Sequence, residues 1–311
     1  MIEIFFILLS AFFFIIIFTF PINYFKSRNV LLNSQLNFFD ILSINVILHS
    51  NFLLIFSFFT VNLNLIFFLY IFLGLFFLSF NFKQYLNYFH KNKIILFLFL
   101  IVLYSLFFSI AQSSLLTWDG AAHWLFKANN FYQGGEFKNL NDLPFNYYPH
   151  LGTYVWAFFW KNSFLQIEYY GRFFFIFIFL ISIFSLGQQL NNSFSKFEKI
   201  FIIFSLGYLS TNFFLFGGYQ EYLVFFLLFS FSRFLFLALS QKVGFNILIT
   251  ILLLLTSHLI LWTKQEGFFY YIFLNLIFLI HAKSKLSHKV FYFIFCSIFF
   301  FYFFICKDSF F

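Results

Sequence analysis

The twelve residues LGTYVWAFFWKN, Leu151 to Asn162, decide how this 311-residue chain is threaded. If they cross a bilayer, every later loop changes sides. Their apolar core is short and carries Trp and Tyr throughout, which suits a helix at the membrane interface better than a span of ~20 residues. Charge decides between the two. Without a crossing there, Lys26 and Arg28, Lys83, Lys91 and Lys93, Lys196 and Lys199, Lys242, and Lys283, Lys285 and Lys289 share one side. The positive-inside rule makes that side the cytoplasm. With a crossing, the basic run HAKSKLSHK would face outward. In the first arrangement eleven of the 18 Lys and Arg lie inside, and eight of the ten acids lie outside or at outer helix ends. Acids hardly vote on topology, so their gathering needs a second reason.

Working outward, 63% of the residues are hydrophobic and only 9% are charged, with several apolar runs long enough to span. The expected fold is an all-α polytopic membrane protein of about ten transmembrane helices. These fall at 3–22, 41–59, 64–81, 94–111, 173–189, 200–216, 222–239, 245–262, 268–281 and 290–306, with interfacial helices in a large first outer loop. Three regions follow: an N-terminal three-span region (1–93), a core (94–282) carrying the loop 112–172, and a C-terminal span region (283–311). The first run, MIEIFFILLSAFFFIIIFTF, has neither the basic start nor the small-residue cleavage pattern of a signal peptide and reads as a retained span. The 67 Phe reflect compositional drift rather than a cofactor box. The net charge of +8 is spread over loops where orientation explains it, so nucleic acid is not an expected partner. Cys296 and Cys306, ten apart in one apolar run, are too distant to bond each other.

Three polar islands share the outer face: the loop Gln112–Arg172, the turn GGYQEY (Gly217–Tyr222) and the turn TKQEG (Thr263–Gly267). An ionisable group at membrane depth costs ~2.5–3.5 kcal/mol and less near an interface, so Glu221, Lys264 and Glu266 at span ends are suggestive. In WDGAAHWLFKANN, Asp119, His123 and Lys127 recur every four residues and line one helix face, with Trp118, Trp124 and Phe126 free to settle among headgroups. His49 and Asn51, inside the second span, are expected to bond to a neighbouring helix. CxxC, HExxH, the Walker loop, GxSxG and the dinucleotide fingerprint are all missing.

The order of these islands resembles the polyprenyl-phosphate-dependent glycosyltransferases of the GT-C class, such as protein-mannosyltransferase-like and aminoarabinose-transferase-like membrane enzymes. The resemblance rests on Asp119 opening the first large outer loop, on YYPHLGTYVWAFFW (Tyr147–Trp160), on Arg172 before the next span, on Glu221, and on Thr263–Gly267. It covers roughly residues 94–282. Two positions depart from the pattern: Gly120 stands where a second acid is usual, and Tyr148 where a basic residue often precedes the proline.

The resemblance implies transfer of a sugar from a polyprenyl-phosphate donor to a periplasmic glycan, lipid or protein acceptor, by a protein of the bacterial inner membrane. Its partners are the lipid-linked donor and membrane lipids. Displacement at an anomeric carbon calls for a carboxylate at the acceptor hydroxyl and cations at the departing phosphate. Asp119 is the expected base. Lys264 and Arg172, with Lys127 and His150 in reserve, are the expected phosphate ligands. Glu221 and Glu266 would orient sugar hydroxyls, or Glu266 would hold Lys264. No cofactor is assigned, and without a paired acidic motif a divalent metal has no sequence support. Two other readings use the same features: an O-antigen polymerase or ligase, whose large loop usually comes late, and a transporter or flippase, which calls for charges near the midplane.

Overall fold

The computed structural model describes residues 36–59, 62–113, 115–189, 217–240, 247–282 and 286–310, together with residues 5, 9, 200 and 201. Most of the expected spans 3–22 and 200–216 therefore lie outside the described residues. Every element among the described residues is helical. In chain order they are α1 (Phe38–Ser57), α2 (Leu63–Ser113), a π-helical turn (Gly120–Trp124) running into α3 (Leu125–Tyr132), and a 3-10 turn (Phe137–Asp142). Then come α4 (Leu151–Lys161), α5 (Tyr169–Gln189), α6 (Glu221–Ser240), α7 (Ile247–Leu261), α8 (Gly267–His281) and α9 (Leu286–Phe310). Among the described residues, five stretches are long and apolar enough to cross a membrane: Phe38–Ser57, Lys93–Gln112, Tyr169–Gly187, Glu221–Leu239 and Leu286–Cys306. The chain is a helical membrane protein.

Helix α5 is the centre of the bundle, nearly every residue of its apolar stretch being buried against α1, α2, α4 and α6. Aromatic rings interlock edge to face where it meets α2, as in Phe107–Phe173 (5.0 Å, 87°) and Phe99–Phe184 (5.2 Å, 89°). Such contacts favour the quadrupole of each ring. The Phe excess thus becomes the packing material of the core.

Helix α2 departs from expectation. Two spans with a loop between them were expected, yet residues 63–113 are helical throughout. A path of ring contacts runs from Phe67 to Phe158, Phe159 and Phe174, and from its neighbour Phe173 to Phe107, each step 5.0–6.1 Å. That path is no longer than ~30 Å, whereas roughly forty residues of straight helix would cover about 60 Å. The helical run therefore bends back on itself. Both its ends lie at one end of the bundle, with Leu63 accepting a bond from the Asn162 side chain at 3.3 Å. Lys83, Lys91 and Lys93 belong to the polar stretch between the apolar halves.

Helix α4, with 11 residues, is too short to span. It does not lie on a surface either: Leu151 through Phe159 are all buried, packed on α3, α5 and α1. Its aromatic content comes from being enclosed on every side.

An ion pair ties three helices together inside the bundle. Asp40 begins α1 in a capping box with Asn37, accepts from Ser185 Oγ at 2.5 Å, and meets Arg233 of α6 at 3.0 Å. Removing one partner of a buried pair leaves an uncompensated charge and costs about 3–5 kcal/mol. Arg233→Met should therefore lower the melting temperature in detergent sharply. Adding Asp40→Asn, which removes the charge and keeps an acceptor for Asn37, should recover most of the loss.

Candidate active site

The three polar islands meet at one end of the bundle, and the main chain joins them. Thr117 donates both its N–H and its Oγ–H to the carbonyl of Gly217, at 2.9 and 3.0 Å. Gly120 lies against the same carbonyl: a Cβ on Gly120 would stand 2.0 Å from the Gly217 oxygen. Gly218, at φ 99°, meets Gly120 and the Trp156 ring from the other side. Leu151 N–H, opening α4, donates to the carbonyl of Trp262 at 3.1 Å, which fixes the 262–266 turn. Glycine at 120 thus has a steric reason: a larger residue would collide with the Gly217 carbonyl.

On this frame Glu221 forms an ion pair with Lys264, and Glu266 and Asp119 lie close enough to act on the same ammonium. Burial alone would lower the Lys264 pKa, but the Glu221 contact, with Glu266 and Asp119 beyond it, holds it above its ordinary value. Lys264 therefore stays a cation at neutral pH. Tyr148 joins the cluster: burial, Tyr147, Glu266 and Asp119 raise its phenol pKa, against an opposing pull from Lys264. Asp119 also stands 3.8 Å from His123, on the π-helical turn. Asp119, Glu221, Lys264 and Glu266 are thus brought together. Tyr148, seen in the sequence only as a departure from the family pattern, belongs with them.

The other three candidates stand behind this cluster, each bonded to the protein itself. Lys127 is fully buried, and its ammonium donates to the carbonyls of Phe145 (2.7 Å), Asn146 (3.4 Å) and Tyr148 (2.8 Å). It thereby holds the loop in which Phe145 takes a left-handed φ of 57°. Burial pushes its pKa down to about 7. His150 Nε2 lies 2.7 Å from Ser57 Oγ, whose own hydrogen goes to Leu54, so the ring donates. Burial first, then the nearby Lys127 charge, lowers the His150 pKa well below its usual value and keeps it neutral. A neutral, buried imidazole is a poor phosphate ligand. Arg172 binds both oxygens of Glu168 and donates to the Leu115 carbonyl at 2.9 Å, bracing the strand of chain that leads to Asp119.

The stripe expected on 118–127 turns inward along its length. Trp118 and Phe126 are exposed as expected, but Trp124 is buried beneath Tyr148 at 5.3 Å, and Lys127 points into the loop rather than to headgroups. Next to the cluster, a cavity of about 220 Å³ is lined by Pro149, Gln265, Phe268, Phe303 and Phe304. Its walls are apolar and it borders the residues on either side of Gln265, Lys264 and Glu266. Among the described residues, no group of three or more His, Cys, Asp and Glu side chains is arranged to hold a metal ion. Comparison of the chain with family models, with curated proteins and with solved structures finds no match.

Two outcomes follow from this geometry. Gly120→Asp should force residues 117–120 away from Gly217 and destabilise the fold by an amount typical of overpacking, about 1–3 kcal/mol, read as a lower melting temperature. Lys127 binds its proton less tightly folded than unfolded, so its contribution makes stability rise from about pH 7 towards pH 10. A pH series of melting temperatures should show the parent gaining on Lys127→Met over that window.

Proposed function

We propose that this chain is a membrane glycosyltransferase that moves a sugar from a polyprenyl-phosphate donor to a periplasmic glycan, lipid or protein acceptor. In this reading it has ten spans, with the site on the periplasmic face of a bacterial inner membrane. The observation that carries the reading is the convergence of Asp119, Tyr148, Glu221, Lys264 and Glu266 beside an apolar cavity. Polar chemistry and an oily slot at one bundle end suit a substrate with a charged head and a hydrocarbon tail.

The acceptor hydroxyl attacks the anomeric carbon as the carbon–oxygen bond to the lipid phosphate breaks, and the bonding pair leaves with the phosphate. Asp119, partly exposed at the edge of the cluster, takes the hydroxyl proton as general base. Lys264 neutralises the charge growing on the departing phosphate, exchanging its Glu221 contact for the phosphate oxygens. Glu221 and Glu266 then accept bonds from sugar hydroxyls. Lys127, His150 and Arg172 hold the frame, and no step passes through a metal.

Incubating the purified protein with a panel of polyprenyl-phosphate sugars should release lipid phosphate. Asp119→Asn should accumulate normally and lose turnover by about 10²-fold or more, as expected for a lost general base. Unchanged release by that variant would remove Asp119 from the role.

A further inference from the structure

A line of hydrogen bonds leads from the middle of α1 to the charged turn. Asn51 is buried in α1 and donates its amide hydrogens to the carbonyls of Ile47 (2.8 Å) and Leu255 (3.3 Å). Both donors being used, its Oδ1 accepts, and the group it faces at 3.1 Å is His258 Nδ1 of α7. That fixes the tautomer, because Nδ1 then carries the hydrogen and Nε2 carries the lone pair. The indole N–H of Trp262, which can only donate, meets that lone pair at 3.2 Å. Every polar atom along this line has a partner of the right kind.

Trp262 is where the line meets the site. Its carbonyl accepts Leu151 N–H, and the next four residues are Thr263, Lys264, Gln265 and Glu266. Its ring packs edge-on against Phe303, a wall of the cavity, at 4.9 Å. His258 in turn stacks on Phe299 of α9, at 4.4 Å. The turn itself is tight, with the Gly267 Cα face pressed on the Ile260 carbonyl. Trp262 therefore joins the cavity wall, through its ring, to the root of the turn, through its carbonyl.

We infer that Asn51, His258 and Trp262 are positioning residues: together they set the orientation of the 262–266 turn, and with it the placement of Lys264 against Glu221. None of them touches the reacting groups. They act through the carbonyl of Trp262 and the short reach from it to Lys264. The effect on turnover rests on the glycosyltransferase reading, whereas the geometric claim stands apart from it.

The test is competitive acylation of lysines with acetic anhydride across a pH series, read by mass spectrometry on purified protein. It compares the parent with Asn51→Ala, His258→Phe, which keeps a ring over Phe299, and Trp262→Phe, which removes the indole N–H and keeps one aromatic ring. In the parent, Lys264 should react slowly, as a paired lysine titrating above ~10.4. In Asn51→Ala and His258→Phe it should react about threefold faster or more, with Lys138 and Lys161 unchanged. Should either variant fail to fold, Trp262→Phe carries the comparison. An unchanged Lys264 rate in the folded variants, or an equal rise at all three lysines, overturns the proposal. If the Lys264 rate shifts as expected while the parent releases no lipid phosphate from any donor, the relay stands and the glycosyltransferase reading falls.

Discussion

The carbonyl oxygen of Gly217 ties the site layer together. It accepts two bonds from Thr117 and has Gly120 laid flat against it, so the start of the large loop and the turn before α6 share one point of contact. Two such bonds are worth about 1 kcal/mol each, a modest sum. Their importance is geometric: Asp119 lies between Thr117 and Gly120, and Glu221 follows four residues after Gly217. Fixing that contact fixes the separation of the two acids, and Lys264 is placed between them by a second main-chain bond from Leu151 to Trp262. Glycine is required at 120 for the contact to form, because a Cβ there would stand 2.0 Å from the Gly217 oxygen.

Much of this arrangement was legible in the sequence because polar residues in so apolar a chain have few places to go. Charge placed the islands at 112–172, 217–222 and 263–267 on one expected face, and in the structure Asp119, Glu221, Lys264 and Glu266 from those islands come together at one end of the bundle. Asn51 was expected to bond to a neighbouring helix, and it does so twice on α7. What stayed hidden depended on direction rather than on residue type. Lys127, His150 and Arg172 have the chemistry of phosphate ligands, and only their burial and partners turn them into framework. A four-residue period placed Lys127 on the face of Asp119, yet the wide turn at Gly120–Trp124 carries it under the loop. The helical continuity of α2 was equally out of reach, because the polar stretch at its middle looks like any loop.

Several polar side chains of α1 find partners on other helices, which offsets the cost of burying them away from water. Asp40 finds Ser185 and Arg233, Asn51 finds α7, and Ser57 finds His150. Between these points the contacts are rings, which give shape without directional bonds. The polar points therefore set the register of α1 against α5, α6 and α7, and the aromatic packing fills what that register leaves.

The Asp40–Arg233 pair also dictates an order of assembly. Its partners are 193 residues apart, so when α1 leaves the ribosome the helix that will neutralise it has not been made. Until Arg233 arrives, the first described helix carries Asp40 without that partner, and a charged group at membrane depth is costly until it is paired. The contact between α1 and α6 therefore closes only after every helix between them has been made.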